Sequence, residues 1–121
     1  DLEAVSFDTF HTPESRAIQV KDSHDKTLVF SSDTGFSKAL GSFAKGVNLF
    51  VTECSFVKDK PTEKHLELAE AIYLARYSEA KEVLLTHLYP EWDDVDFEKE
   101  IAGFSPNCRI IEAKDGLQIE V

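Results

Sequence analysis

The feature that most constrains this chain is a short apolar run that ends abruptly at an aspartate. Thr27-Leu28-Val29-Phe30 combines β-branched, apolar and aromatic residues, the composition of a buried strand. Ser31-Ser32-Asp33-Thr34-Gly35 stops it, and Phe36, Ala39, Leu40, Phe43 and Val47 then recur at helical spacing on one stripe. Asp33 is therefore predicted on a strand-to-helix turn, at the edge of an α/β sheet where ligands bind. Two readings stay open for it in isolation: a helix cap or a functional carboxylate.

Two other strand ends bear on that choice. Ala4 to Phe10 alternates as a strand and runs directly into His11, and Glu82 to Thr86 runs directly into His87. Three predicted strands thus finish in His, Asp and His. Imidazole and carboxylate are the usual ligands of zinc and related cations, and strand ends hold such groups rigidly. No one of the three is specific; their coincidence points to a metal site.

The remaining segments supply the frame. Arg16 to Lys21 pairs with Thr27 to Ser31 as a hairpin, and its turn leaves His24 on a polar tip. The first helix, about residues 36 to 45, stops at Gly46. Asn48 to Thr52 is the next strand, with Glu53 at its end. A longer helix follows, about residues 63 to 79, with Thr62 as N-cap and Leu68, Ile72 and Ala75 as its buried stripe. His65 falls on that stripe in the first turn, where packing at the core edge and a functional role are both open. Pro90 makes residues 88 to 92 a loop, and Asp93 or Asp94 caps a short helix ending at Gly103. Asn107 to Ala113 and Leu117 to Val121 form a last hairpin around Asp115-Gly116.

Composition narrows the classes. A chain of 121 residues makes one domain with one core. No apolar run approaches the roughly 20 residues that span a membrane. Cys54 and Cys108 stand too far apart to suggest a disulfide framework, and two buried thiols in a reducing cytoplasm are expected. The net charge is −10, and no basic stripe with interleaved aromatics marks a nucleic-acid binder. With no methionine, and with Asp at position 1, the chain is expected to be part of a longer one.

His11, Ser32-Asp33-Thr34-Gly35, Glu53, His65 and Leu85-Thr86-His87-Leu88, in that order on those elements, resemble the metallo-β-lactamase superfamily. The likeness is to the back half of that fold, in the branch of ribonuclease Z and related phosphodiesterases. It implies an α/β (α+β) fold that is half of an αββα sandwich: a mixed sheet with helices on one face. Residues 1–121 would form a single domain, the C-terminal half of a longer metallo-hydrolase. It implies that His11 joins a first metal, that Asp33 bridges two, and that His87 joins the second. Glu53, within Thr52-Glu53-Cys54-Ser55, falls where ribonuclease Z-like proteins have His-Glu-Ala-Thr. His65 matches the histidine that this glutamate partners, and the two would be catalytic. The neighbours depart from that pattern at Thr52, Cys54, Ser55 and Leu66-Glu67. The family's His-x-His-x-Asp-His signature is absent and is expected upstream.

The implied cofactors are two divalent ions, zinc or else manganese or iron. The implied reaction is metal-dependent hydrolysis of a phosphodiester, in a small molecule or nucleotide, by the full-length chain in the cytoplasm. Two alternatives stand beside it: a transfer-RNA 3′-end nuclease, and a catalytically incomplete half-domain with a structural role. Because each metal would receive two ligands here, the chain alone is expected to be inactive. Its expected partners are the missing N-terminal half or another copy of itself, with no membrane and with nucleic acid left open.

Overall fold

The computed structural model describes residues 1–121. Strands β1 (Glu3–Asp8), β2 (Arg16–Lys21) and β3 (Thr27–Phe30) form an antiparallel meander. Strands β4 (Leu49–Glu53), β5 (Glu82–Thr86) and β6 (Arg109–Glu112) then add in parallel, giving one six-stranded mixed sheet in chain order. Helix α1 (Lys38–Phe43) joins β3 to β4, and α2 (Leu68–Ser78) joins β4 to β5. A 3₁₀ turn at Pro90–Asp94 and helix α3 (Phe97–Ala102) join β5 to β6. Parallel strands that advance in one direction through right-handed crossovers carry their helices on one face.

The register shows which face that is. Gln19, Val29, Phe50, Val83 and Ile110 lie side by side across five strands, and Val29, Phe50 and Val83 are wholly buried. Leu40 of α1 and Leu68, Ile72 and Leu74 of α2 close over them. One residue along, the pleat turns side chains to the other face. There Ile18, Phe30, Val51, Leu84 and Ile111 form a second unbroken row. No helix covers this row, and Ile18 and Phe30 are each 41% exposed.

Several boundaries differ from those predicted. Strand β1 stops at Asp8, so Thr9 and Phe10 belong to the loop that carries His11. Helix α2 starts at Leu68, not Glu63; Thr62 does not cap it, and Glu67 does, through a reciprocal capping box with Glu70. Residues 63 to 66 are drawn away from helical geometry. The backbone N–H of Leu66 donates to the Glu53 carboxylate, and a bridge pairs Phe56 with Glu67. His65 is accordingly a loop residue. Pro90 opens a 3₁₀ turn instead of leaving a loop, as its fixed φ and missing N–H allow at a first helical position. Asp96, not Asp93 or Asp94, caps α3 by accepting from Lys99 N–H. Strand β6 pairs in parallel with β5, and residues 117–121 form no strand, so there is no terminal hairpin. Val121 instead ends beside Leu2, Val20 and Leu28, and the tail runs across the uncovered apolar face. Cys54 is buried, whereas Cys108 is only partly so.

The carboxyl ends of β3, β4, β5 and β6 share one edge of the sheet, and the β1–β2 loop reaches the same edge. His11, Asp33, Glu53 and His87 all lie there.

Candidate metal centre

The site grows from how the loops at that edge are tied together. Phe10 carbonyl accepts from Gly35 N–H at 2.7 Å, and Thr9 Oγ1 donates to the Asp33 carbonyl at 3.1 Å. These bonds bring the loop bearing His11 against the loop bearing Asp33. Gly35 is required there, because a Cβ would stand 1.8 Å from the Glu63 carbonyl oxygen and 2.6 Å from the Phe10 ring. Asp33 caps no helix, since Ser37 holds the N-cap position of α1. Ser32 and His87 both take left-handed backbone, with φ of 54° and 57°. Asp25, Asp59, Glu79 and Ser105 use the same region in turns and caps elsewhere, so at Ser32 and His87 it serves to turn the chain sharply where Asp33 and His87 leave their strands.

Asp33 offers one oxygen to each side. His11 Nε2 lies 3.8 Å from Oδ2, and His87 Nε2 lies 3.7 Å from Oδ1. Both separations exceed hydrogen-bond reach. They approach the roughly 3.3 Å between two donors on one tetrahedral ion. The rings of His11 and His65 meet edge to face at 5.0 Å, and those of His65 and His87 stack at 5.5 Å. The predicted residues are thus brought together, and His24 stays on the exposed β2–β3 turn at the other end of the sheet.

Glu53 sits beneath them with 1% exposure. Its Oε1 accepts from Thr34 N–H and His65 Nδ1, at 3.0 and 2.7 Å. Its Oε2 accepts from Ser55 N–H, Ser55 Oγ and Leu66 N–H, at 3.2, 3.1 and 3.0 Å. Five donors on two oxygens satisfy a buried carboxylate in the way burial demands.

This network assigns the tautomers of three histidines. His65 donates from Nδ1 to Glu53. Ser55 Oγ has one proton and gives it to Glu53, so its contact of 3.0 Å with His87 Nδ1 is one it accepts. His11 Nδ1 faces the Lys64 carbonyl at 2.9 Å, which can only accept. All three imidazoles therefore carry their proton on Nδ1 and keep a lone pair on Nε2. Anchoring the outer nitrogen so that the other can bind is how metal-ligating histidines are usually held. Donor atoms of Asp33, Glu53, His65 and His87 also lie within 4.8 Å of one another. Glu53 is already saturated, however, so the groups free to hold a cation are Asp33 and the Nε2 atoms. Cys54 is not among them: burial, and next the Glu53 carboxylate, hold its thiol well above the ordinary range, so it carries no thiolate at neutral pH.

Similarity to known proteins gives the family and the fold. No family model matches the chain. Ribonuclease Z of Shouchella clausii is 30% identical over 93 residues, covering 72% of this chain and 30% of its own length. The mitochondrial ribonuclease Z 2 of Schizosaccharomyces pombe is 30% identical over 122 residues, covering 98% of this chain and 18% of its own. The chain belongs to the metallo-β-lactamase superfamily and is ribonuclease Z-like. An uncharacterised protein of Mycobacterium leprae is 36% identical over 84 residues, covering 68% of this chain and 29% of its own. Among solved structures, the metallo-β-lactamase fold protein YhfI from Bacillus subtilis superposes with a TM-score of 0.81 at 22% identity, over 96% of this chain and 48% of that one. Human tRNase Z, short form, gives 0.73 at 17% identity, over 98% and 43%. The chain spans less than a third of the length of the first two curated relatives it matches and about half of the first two structures.

Within this metallo-β-lactamase scaffold, sequence reasoning missed Ser55. It entered only as a departure from the family pattern, yet its hydroxyl ties Glu53 to His87. The signal for it was spacing: Ser55 stands two residues after a strand-end carboxylate, where an Asx- or ST-type bond to the backbone is common.

Proposed function

We propose that the full-length protein is a dinuclear metal-dependent phosphodiesterase and that residues 1–121 are the C-terminal half of its catalytic domain. The observation that carries this reading is the Asp33 carboxylate lying between His11 Nε2 and His87 Nε2, one oxygen turned to each. In this reading His11 and Asp33 hold one divalent ion, and Asp33 and His87 hold the other. Zinc suits such nitrogen and oxygen donors, with manganese or iron as alternatives. Bound ions would supply Lewis-acid polarisation of the phosphoryl group and an activated water.

The other residues have defined tasks. Glu53 fixes the ring of His65 through Nδ1 and leaves Nε2 as the working atom. Hydrolysis adds water across a P–O bond: the attacking water gives up a proton and the departing oxygen needs one. His65 passes that proton on from Nε2 after this atom has taken it up from solvent, with the Glu53 carboxylate balancing the imidazolium charge. Ser55 and the Lys64 carbonyl keep His87 and His11 in the tautomer that leaves Nε2 unprotonated. Two protein ligands per ion are fewer than a stable zinc site uses. The missing ligands are assigned to an upstream segment packed on the uncovered row of Ile18, Phe30, Val51, Leu84 and Ile111. A structural half-domain would show no such turnover in the longer protein.

The test uses the full-length protein with zinc or manganese and methyl p-nitrophenyl phosphate. Turnover that requires metal is expected; Asp33→Ala abolishes it and strips the metal. His65→Ala slows turnover by about 10²- to 10⁴-fold with metal content unchanged. Full metal loading with no diesterase activity would sink the reading. The named ribonuclease Z relatives favour a second reading, cleavage at the 3′ end of transfer-RNA precursors. It predicts precursor cleavage that falls steeply with salt.

A further inference from the structure

Phe36 was expected on the buried stripe of the first helix, and it is 39% exposed. Phe10 is 52% exposed. Both face a pocket of about 310 Å³ that is completed by Lys60, Glu63 and Glu70. On its far side Phe36 meets Tyr73 edge to face at 5.4 Å, and Tyr73 is itself 42% exposed. We propose that this pocket binds the nucleobase of a nucleoside-bearing phosphodiester while its phosphate lies at Asp33. The proposal rests on the phosphodiesterase reading above and adds the site that holds the base.

Four observations carry it. The first is continuity: Phe10 is bonded directly to His11, and Phe36 follows Asp33 by three residues, so the two aromatic walls extend from the loops that carry candidate ligands. The second is construction. The missing side chain of Gly35 lets the Phe10 ring and the Glu63 backbone, two parts of the pocket's lining, close in on the same point. The third is polarity. Lys60 is occupied, with its ammonium 2.7 Å from Glu70 and 3.1 Å from the His65 carbonyl. Glu63 is exposed and has no cation beside it, so the pocket presents an unused acceptor to the N–H edge of a base. The fourth is size: a few hundred cubic ångströms, aromatic walls and a few polar groups suit one planar ring with its sugar. The pocket is flanked by helix-side residues, away from the row Ile18 to Ile111, so a layer packed on that row leaves it open.

The experiment compares two substrates of the full-length protein with the same leaving group, thymidine 5′-(p-nitrophenyl) phosphate and methyl p-nitrophenyl phosphate. Phe36→Ala should raise KM for the thymidine ester about tenfold, the scale of one lost base stack. It should leave the methyl ester within twofold, and Phe36→Trp should restore the first value. Glu63→Leu, which removes the acceptor, should weaken the thymidine ester alone. A direct readout keeps the proposal separate from the reading beneath it. Metal-free protein is titrated with thymidine 5′-monophosphate and followed by NMR shifts; saturable shifts that disappear in Phe36→Ala are expected even if neither ester is hydrolysed. Equal losses on both esters would make Phe36 merely structural and overturn the proposal, as would nucleotide binding unchanged in Phe36→Ala or absent from the wild type.

Discussion

Glu53 accepts five hydrogen bonds from a position with almost no solvent contact. Glu53→Gln preserves its shape but turns an amide NH₂ toward backbone N–H groups that need an acceptor. An unsatisfied buried donor costs about 1 to 3 kcal/mol, so a loss of about 3 kcal/mol in urea unfolding is expected. A change below about 1 kcal/mol would show that the network can rearrange. The adjacent thiol gives a pH-dependent counterpart. Burial holds Cys54 protonated in the native protein at pH values where it ionises in the unfolded chain. Above the ordinary thiol value of 9.0 the unfolded state therefore binds fewer protons, and stability falls as pH rises. Cys54→Ala should remove that part of the decline; identical slopes for both proteins would contradict the assignment. At this scale the sequence showed which residue types stood at strand ends, because a strand that stops at His or Asp is a local pattern. Ser55 and the Lys64 carbonyl were invisible, since their roles depend on distances across 32 and 53 residues.

The loops between elements are tied at single points, and Gly35 is one of them. Gly35→Ala would drive its Cβ into the Glu63 carbonyl, which is backbone and cannot step aside. A loss of roughly 2 kcal/mol or more is expected from such overpacking. Gly41→Ala in α1 meets only the side chains of Tyr77 and Leu74, at 2.7 and 3.3 Å, and gains about 1 kcal/mol of helix propensity. The two variants should therefore separate clearly in thermal melts, with Gly35→Ala far lower; similar melting temperatures would refute the difference. The elements were legible where periodicity is strong, as in β3, β5 and the body of α2. They were misread where a distant partner overrides local preference. Thr62 is a sound capping residue, but Glu53 captures the following backbone first. The Asp115-Gly116 turn does form, with Gly116 at φ 82° and Leu117 N–H bonded to the Lys114 carbonyl. Its second arm crosses the apolar face instead of lying beside β6.

For the whole molecule, the two faces of the sheet differ sharply. One is sealed by helices, and the other carries the row from Ile18 to Ile111, with Ile18 and Phe30 open to solvent. Apolar surface of that kind marks an interaction face. Residues 1–121 produced alone should sediment as dimers or larger species, and Ile18→Lys with Phe30→Lys should shift them toward monomer. A monomer at all concentrations, or one that turns over phosphodiesters, would mean that the ligands are supplied differently. The two ends of the strands differ as well. The loops that hold His11, Asp33, Glu53 and His87 gather at one edge, and the turn at residues 22–26 stands at the other, exposed and closed by its own Asp22 bonds. The turn is thus a handle: a fluorophore, an affinity tag or a surface tether attached at Ser23 or His24 would hold the molecule by its back and leave its chemistry facing outward.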